Sequence, residues 1–386
     1  MKKVYIKTYK KAPNLSPAPR TFEGFSEDYS FDSITSNLNS GYGALTFSLP
    51  RKFDVLQPQD PQNLDGYELD VVAYDSQKPD GVILFSGEVV SIERALSGDG
   101  ESIHYTAISP LERLEKIDLE DTDAIVTYTN VEIATIFRNI IDQCNAKAGE
   151  QVLKYTASSI ATTGKTISIN FENAYVGDAL KAVFQTTNSG WVWYVDVDKT
   201  VYLKQISTTP DHYFFNTKDV SSIARTTDKS KVVNVLKFWN GDTVTPLFRR
   251  YFNQASISAH GYRAESVQDS RYTQASSALE LGKKFITDKK APNDQFTLTI
   301  IDSSGGGFDI DQMRVGDTFK LLNFTLETNI PELLVITSKT DYLDYCTITA
   351  SDRNEYVARE LVNLKKEQYQ VNNTGHPSGS YTTIAV

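Results

Sequence analysis

The sequence predicts a mainly β protein with an α+β insert. Apolar and polar residues alternate in short segments bounded by Gly, Pro and Asp over residues 1–118, and again after residue 207. Amphipathic helical spacing is concentrated in the stretch between them. The composition is that of a folded chain: 21 glycines and 13 prolines among 386 residues are too few for a low-complexity protein, and 21 tyrosines with 19 phenylalanines can seal a core.

The first strand is residues 4–9, with Val4, Ile6 and Thr8 on one side and Tyr5, Lys7 and Tyr9 on the other. Residues 44–49 alternate in the same way and stop at Pro50. After a loop containing Pro58 and Pro61 come strands at 67–74, 82–96 and 102–108. Lys78-Pro-Asp-Gly81 and Ser97-Gly-Asp-Gly100 separate them as turns, since proline presets φ while glycine and aspartate accept positive φ. Strands of this length joined by tight turns predict an antiparallel barrel or sandwich over residues 1–118.

Residues 112–123 carry six acids and two bases and read as a solvated connector. Thr129-Asn-Val-Glu132 has the form of a capping box. Ile133, Ile136, Phe137, Ile140, Ile141 and Cys144 then share one helical face. A strand at 167–171, a second helix at 176–184 ended by Gly190, and a hairpin of 191–195 with 201–203 complete a compact α+β insert over 119–206. Strands return at 232–239, 296–301, 318–322, 333–338 and 346–350, making 207–353 a second β region. One helix at 273–288 interrupts it, with Ala275, Ala278, Leu279, Gly282, Phe285 and Ile286 inward, closed by Lys289, Lys290 and Pro292. In the remaining segment, 354–386, residues 354–369 read as a last helix and 372–386, rich in Asn, Gly, Ser and Thr, as a mobile tail.

The net charge of −10 argues against a protein that grips nucleic acid through overall charge. Cys144 and Cys346 exclude a disulfide-dense scaffold and read as buried free thiols, with a single long-range disulfide as the alternative. The lysines of the N-terminus lead into no apolar h-region, and no run of 18 apolar residues occurs, so the chain is expected to stay soluble in a cytoplasm, with no stable membrane insertion.

No catalytic, cofactor-binding or metal-ligating residue can be nominated. His104, His212, His260 and His376 have no partner at ligand spacing, and there is no Gly-x-Ser-x-Gly elbow. Ser304-Gly-Gly-Gly307 lacks the Lys-Ser/Thr of a phosphate loop and reads as a flexible loop. Asp196 and Asp198 lack the further ligands of a calcium loop and read as a hairpin turn. Lys2, Lys3, Lys7, Lys10 and Lys11, interleaved with Tyr5 and Tyr9, read as a solvated edge strand, with nucleic-acid binding as the alternative.

The order of motifs resembles that of phage tail hub proteins. Gly43-Ala-Leu-Thr-Phe-Ser-Leu-Pro50 and Tyr67-Glu-Leu-Asp-Val-Val-Ala-Tyr74 are similar to strands of the family's opening barrel. Leu84-Phe-Ser-Gly-Glu-Val-Val-Ser-Ile-Glu93 has its F-x-G-x-V phrase, followed by Ile103-His-Tyr-Thr-Ala-Ile-Ser-Pro-Leu-Glu-Arg-Leu114. Val176-Gly-Asp-Ala-Leu180, Gly190-Trp-Val-Trp-Tyr-Val-Asp-Val-Asp198 and Val201-Tyr-Leu203 resemble its inserted helix-and-hairpin module. Ser256-Ile-Ser-Ala-His-Gly-Tyr-Arg263 resembles the S-I-x-x-Y-G-x-R segment, with His260 where an aromatic is commoner, and Val315-Gly-Asp-Thr-Phe319 the G-D strand entry. The likeness spans roughly residues 20–355.

The resemblance implies two split, tail-tube-like β-barrels flanking the module. It is shared with the N-terminal hub of tail-associated lysins and with the central hubs of contractile tails. It further implies a homotrimer in the virion tail tip or baseplate, assembled in the host cytoplasm. Such a hub joins the tail tube to distal tip or fibre proteins, with the tape-measure protein as a further neighbour, and leaves a channel through which DNA only passes. It implies no cofactor and no enzymatic activity. Two other readings stay open: a cell-wall or capsule-degrading tail enzyme using carboxylates, and a carbohydrate-binding receptor module using Trp191, Trp193, Tyr194 and Trp239.

Overall fold

The structure is a computed structural model that describes residues 3–11, 20–26, 30–38, 41–49, 68–75, 78–97, 100–109, 114–119, 125–172, 174–187, 190–216, 218–242, 245–302, 309–324, 331, 333–352 and 382–386. The expected helix at 354–369 and the Ser304–Gly307 loop lie outside them.

β1 (Lys3–Lys11), β2 (Arg20–Ser26), β3 (Ser30–Asn37), β4 (Gly41–Leu49), β5 (Glu68–Asp75), β6 (Lys78–Ser97) and β7 (Gly100–Ile108) form an antiparallel array in the order β3-β4-β7-β6-β5-β1-β2. β6 is long because it serves two partners. Its first half pairs with β5 and its second half with β7, and Glu88 stands opposite both Glu68 and Ile108. The turn expected at Lys78–Gly81 is part of β6 instead. Asp75 pairs with Lys78, and the register shifts between Ala73 and Asp75. β1 is not an edge strand: β2 covers one side and β5 the other.

The insert begins with β8 (Val126–Glu132) and α1 (Ile133–Ala148). The predicted capping box does not form, because Thr129 and Asn130 belong to β8, where a bulge between Tyr128 and Val131 holds Asn130 at φ 54°. Glu132 is itself the N-cap, its Oε2 accepting from Thr135 N at 3.1 Å. The predicted apolar face of α1 is fully buried. β9 (Thr166–Phe171) pairs with β8, α2 (Val176–Phe184) packs on α1, and β10 (Trp191–Val195) makes the expected hairpin with β11 (Val201–Gln205).

Residues 207–353 contribute to two sheets. β12 (His212–Phe215), β13 (Val220–Asp228), β17 (Asn293–Ile301), β18 (Thr318–Leu322), β19 (Leu334–Asp341) and β20 (Tyr345–Ser351) extend the first array, because β19 pairs with β3 across 300 residues of sequence. The outcome is one 13-stranded sheet, an open path from β13 to β2 with no closed barrel among the described residues. β14 (Val235–Trp239), β15 (Phe248–Phe252) and β16 (Ala264–Gln268) form a separate sheet with β21 (Thr382–Ala385), backed by α4 (Ala275–Lys289) and joined by α3 (Gln254–His260). Of the predicted face of α4, Ala278, Gly282, Phe285 and Ile286 are buried, but Ala275 is exposed and Leu279 partly so, and Ser277, Leu281, Lys284 and Lys289 are buried as well.

The end of the predicted mobile tail is docked. β21 pairs in parallel with β15, Val386 N donates to Phe252 O at 2.8 Å, and Asn253 Nδ2 donates to Val386 O at 2.7 Å. Two apolar side chains at a spacing of two, Ile384 and Val386, suffice to anchor it on the core.

Two cores result, and β10 separates them. Trp191, Trp193 and Val195 point into a core shared by β1, β3–β7, the insert, α4 and β14–β16. Val192 and Tyr194 point the other way, into a core of β12, β13 and β17–β20. All five residues of β10 are buried, as a strand between two apolar layers must be.

Candidate functional site

The residues that could have carried chemistry are engaged in holding the fold. His104 is exposed on β7, its Nε2 3.0 Å from Ser102 Oγ. His212 Nε2 lies 3.2 Å from Asp317 Oδ2, and the same carboxylate oxygen accepts from Arg314 N at 2.8 Å. His260 ends α3, its carbonyl accepting from Arg263 Nε, and His376 lies outside the described residues. Asp198 accepts from Thr200 N and Oγ1 at 2.9 and 2.7 Å, while Asp196 takes Val197 N and the Arg314 guanidinium. Both aspartates thus build the β10–β11 turn. Among the described residues there is no group of three or more His, Cys, Asp or Glu that could hold a metal ion.

The thiols are buried apart, Cys144 in the first core and Cys346 in the second, and both are free. Burial pushes the Cys144 thiol up to about 11, away from reactive thiolate. In the N-terminal lysine run, Lys7 donates to Tyr74 Oη at 2.8 Å, a hydrogen bond that raises its pKa. Of the aromatics of the receptor reading, Trp191, Trp193 and Tyr194 are packed inside, Trp193 1% exposed and meeting Phe137 edge-on at 6.3 Å, while Trp239 is half-buried.

Two sequence motifs acquire a mechanical reason. Gly87 of the F-x-G-x-V phrase sits where β6 changes partner, and a Cβ there would stand 2.3 Å from the Ile108 carbonyl oxygen. In the G-D entry, Gly316 has φ 86°, which L side chains rarely adopt, and its N–H donates to Ile336 O at 2.8 Å. Asp317 then ties the turn to Arg314 N and lets β18 start.

Sequence reasoning missed two buried cations, Lys284 and Lys339, and a half-buried one, Arg271. Lys339 Nζ donates to Ile310 O and Met313 O, the end of a short 3₁₀ turn, at 2.8 and 3.2 Å, and pairs with Asp341. Burial works against the Arg271 charge, but Asp269, held at 2.6 Å, keeps its pKa above the ordinary value. Lys284 lies between the Phe184 ring, 4.4 Å from its centroid, and Thr187 Oγ1 at 3.1 Å. Its burial lowers the pKa to about 8. A lysine on an apolar stripe at helical spacing was the available signal for Lys284, since Leu281 and Phe285 flank it.

What remains is surface suited to assembly. Among the described residues β13 pairs only with β17, and β2 only with β1, so the 13-stranded sheet has an open edge at each end. Beside the start of β13 lies an exposed apolar patch. Asp219 accepts from Phe215 N through its carboxylate and from Ile301 N through its carbonyl, and Ile301 stands opposite Tyr345, which stacks on Tyr342 at 4.5 Å. Phe215, Ile301 and Tyr345 are 39%, 42% and 41% exposed. Edges and patches of this kind are what partner strands cover. A cleft of about 250 Å³ between the first array and the insert mixes Glu68, Glu88 and Glu150 with Lys116 and Lys199.

No protein-family model and no curated protein matches the chain. Solved structures do. The 43 kDa tail protein of prophage MuSo2 from Shewanella oneidensis is similar at 13% identity and TM-score 0.59, over 90% of this chain and 98% of that one. A tail protein from Neisseria meningitidis MC58 is similar at 12% identity and TM-score 0.61, over 92% and 98%. Prophage tail protein gp18 from Listeria monocytogenes EGD-e is similar at 13% identity and TM-score 0.54, over 95% and 98%. The chain therefore shares the fold of these phage tail proteins, a mainly β architecture with an α+β insert.

Proposed function

We propose that the chain is a structural protein of a bacteriophage tail, the central hub of a tail tip or baseplate. The observation that carries this reading is that likeness to three tail proteins, two of them from prophages, runs through 90–95% of the chain and 98% of each of theirs. On this reading it resides in the virion tail, is assembled in the host cytoplasm, and works without an active site. It joins the tail tube to distal tip or fibre proteins, with the tape-measure protein as a further neighbour, and DNA passes along its axis without being held.

A homotrimer follows from symmetry. The resemblance implies a six-fold tail tube, and a three-fold object matches it only if each chain offers two similar contacts. Residues 1–118 and the strands of 207–353 are two such units, flanking the 119–206 module that we place outside the tube-contacting layer. The sheet is compatible with this: its end strands, β13 and β2, lie at opposite ends, so a contact between them would be head to tail, the kind that a ring uses. The acidic chain, at −10, suits a channel wall that lets phosphates slide.

Electron cryo-microscopy of the intact particle tests the reading. Three copies in a ring with two β units each facing the tube are expected. Six copies, or one β unit per chain in the ring, would overturn it. Reproducible product release from peptidoglycan or capsule by the purified chain would overturn the non-enzymatic role.

A further inference from the structure

The outward face of the small sheet carries an unusual charge arrangement. On it stand Lys237 of β14 and Arg250 of β15, in a chain whose net charge is −10; Arg249 alternates to the other face, and Lys231 pairs with Asp228. β14 and β15 pair so that Lys237 stands directly opposite Arg250. Like charges directly opposed across strands destabilise a sheet. Neither side chain has an ion-pair or hydrogen-bond partner among the described residues, and their other neighbours in register are Ser266 and Thr383.

The same face is aromatic. Trp239 and Phe248, also opposite each other, stack at 5.7 Å with rings 5° from parallel. The Arg250 guanidinium lies 5.8 Å from the Phe252 ring centroid and 5.9 Å from that of Tyr262, a tyrosine 55% exposed. Arg250 Nε and Trp239 Nε1 are shielded from solvent and have no acceptor among the described residues. The opposite face of the sheet, with Leu236, Phe238, Tyr251 and Val267, is buried in the first core and accounts for the stability of the unit. The outward face thus holds two half-buried cations in fixed positions, framed by rings, without a counter-charge.

We propose that this face docks a carboxylate-rich segment of a second copy of the chain, residues 112–123. Charge complementarity selects the occupant: this is the richest acidic run in the sequence, six acids in twelve residues. Its Glu115 and Asp118 side chains are 65% and 62% exposed and make surface pairs with Lys181 and Lys147. Of the six acids the structure describes Glu115 and Asp118, neither of which pairs with Lys237 or Arg250, and the proposal assigns the contact to a second copy. The inference rests on the self-assembly in the proposed function and adds a contact between neighbouring copies.

Carbodiimide coupling tests it, since it joins a lysine amine to a carboxylate only when the two touch. Particles co-assembled from ordinary and ¹⁵N-labelled full chains should yield an amide between Lys237 and an acid of residues 112–123, with the two peptides from differently labelled copies. Arg250→Glu should cut that yield about tenfold, and Arg250→Lys should keep most of it. An amide confined to one copy, or an unchanged yield in Arg250→Glu, overturns the proposal. So does coupling of Lys237 to another protein, or an oligo-dT strand that binds the wild-type chain and not Arg250→Glu. Mixed-label particles that never form would instead sink the self-assembly reading itself.

Discussion

The two halves of the 13-stranded sheet, one wholly antiparallel and one with the parallel β12–β18 pair, are supported differently. β1–β7 have no core of their own: Ile6, Leu45, Phe47, Leu69 and Phe85 belong to the same apolar cluster as Phe137 of α1 and Phe285 of α4. β12, β13 and β17–β20 enclose a smaller cluster around Phe214, Leu298, Phe319 and Ile348, touched from outside by Val192 and Tyr194 of β10. The first half is therefore stabilised by the insert and the small sheet together. The second is nearly self-sufficient, and β10 is the wall that both lean on.

The largest test of this asymmetry is Phe137→Ala. Phe137 is fully buried against Trp193 on the first-core side of β10, so its loss should cost roughly 3–5 kcal/mol by urea unfolding. Hydrogen exchange should speed up in β4–β7 and α1 well before β17–β20. Equal loss in both halves would erase the distinction, and a near-wild-type midpoint would contradict the burial of that face.

Lys284 provides a test that heat or denaturant alone does not. It sits in the first core with a pKa lowered to about 8 from 10.5, chiefly by burial, opposed by Asp288 and assisted by Lys165. Between those two values the unfolded chain still binds the proton that the folded chain has released. Stability therefore rises with pH across that window, with a total on the order of 3 kcal/mol. Urea titrations at pH 7, 8, 9 and 10 should show this rise in the wild type and its absence in Lys284→Met, which should also be the more stable protein at pH 7. A parallel pH profile in the two proteins would mean that Lys284 reaches solvent.

A third test compares two glycines. Gly87→Ala pushes a methyl against the Ile108 backbone at the corner of the first half, and should cost roughly 1–3 kcal/mol with altered exchange in β5–β7. Gly316→Ala strains a positive φ in the second half, with Leu38, Val192 and Tyr194 around the added methyl, and its effect should center on β18 and β19. Matching exchange patterns for the two variants would show the halves to be one cooperative unit.

How much of this was legible depends on whether the signal was local. α1, α2 and the β10–β11 hairpin fall where the sequence puts them, because helical spacing and turn chemistry are both short-range. β13 reads Val-Ser-Ser-Ile-Ala-Arg-Thr-Thr-Asp, with no alternation to find, and it is a strand because β17 presents a partner. The pairing of β19 with β3 joins residues about 300 positions apart and leaves no trace in any window. β1 was read as an edge because its lysines are conspicuous, whereas β2, which covers it, has no comparable pattern. The absence of a nominated active site came from missing spacings, but the cationic face of β14 and β15 could not be seen. Lys237 and Arg250 are thirteen residues apart and meet only through the strand register.

The smallest expected effect concerns the chain's last residues. Composition predicts a tail contributing nothing to folding, yet β21 completes the small sheet, and Ile384 and Val386 pack on the first core. Both side chains are only partly buried, so each contributes less than the 1.5–3 kcal/mol or so of a fully buried aliphatic. Ordering residues 382–386 offsets much of that through lost backbone entropy. Deleting them should therefore cost about 1 kcal/mol and lower Tm by a few degrees at most. The signature is spatial rather than large: amides of β15 should lose protection while β17–β20 stay unchanged. Ile384→Lys should reproduce the loss with the backbone intact, whereas Thr383→Ser, at an exposed position on the opposite face of the strand, should not. If deletion left β15 protection untouched, β21 would not be docked in solution, and the first core would end at β15.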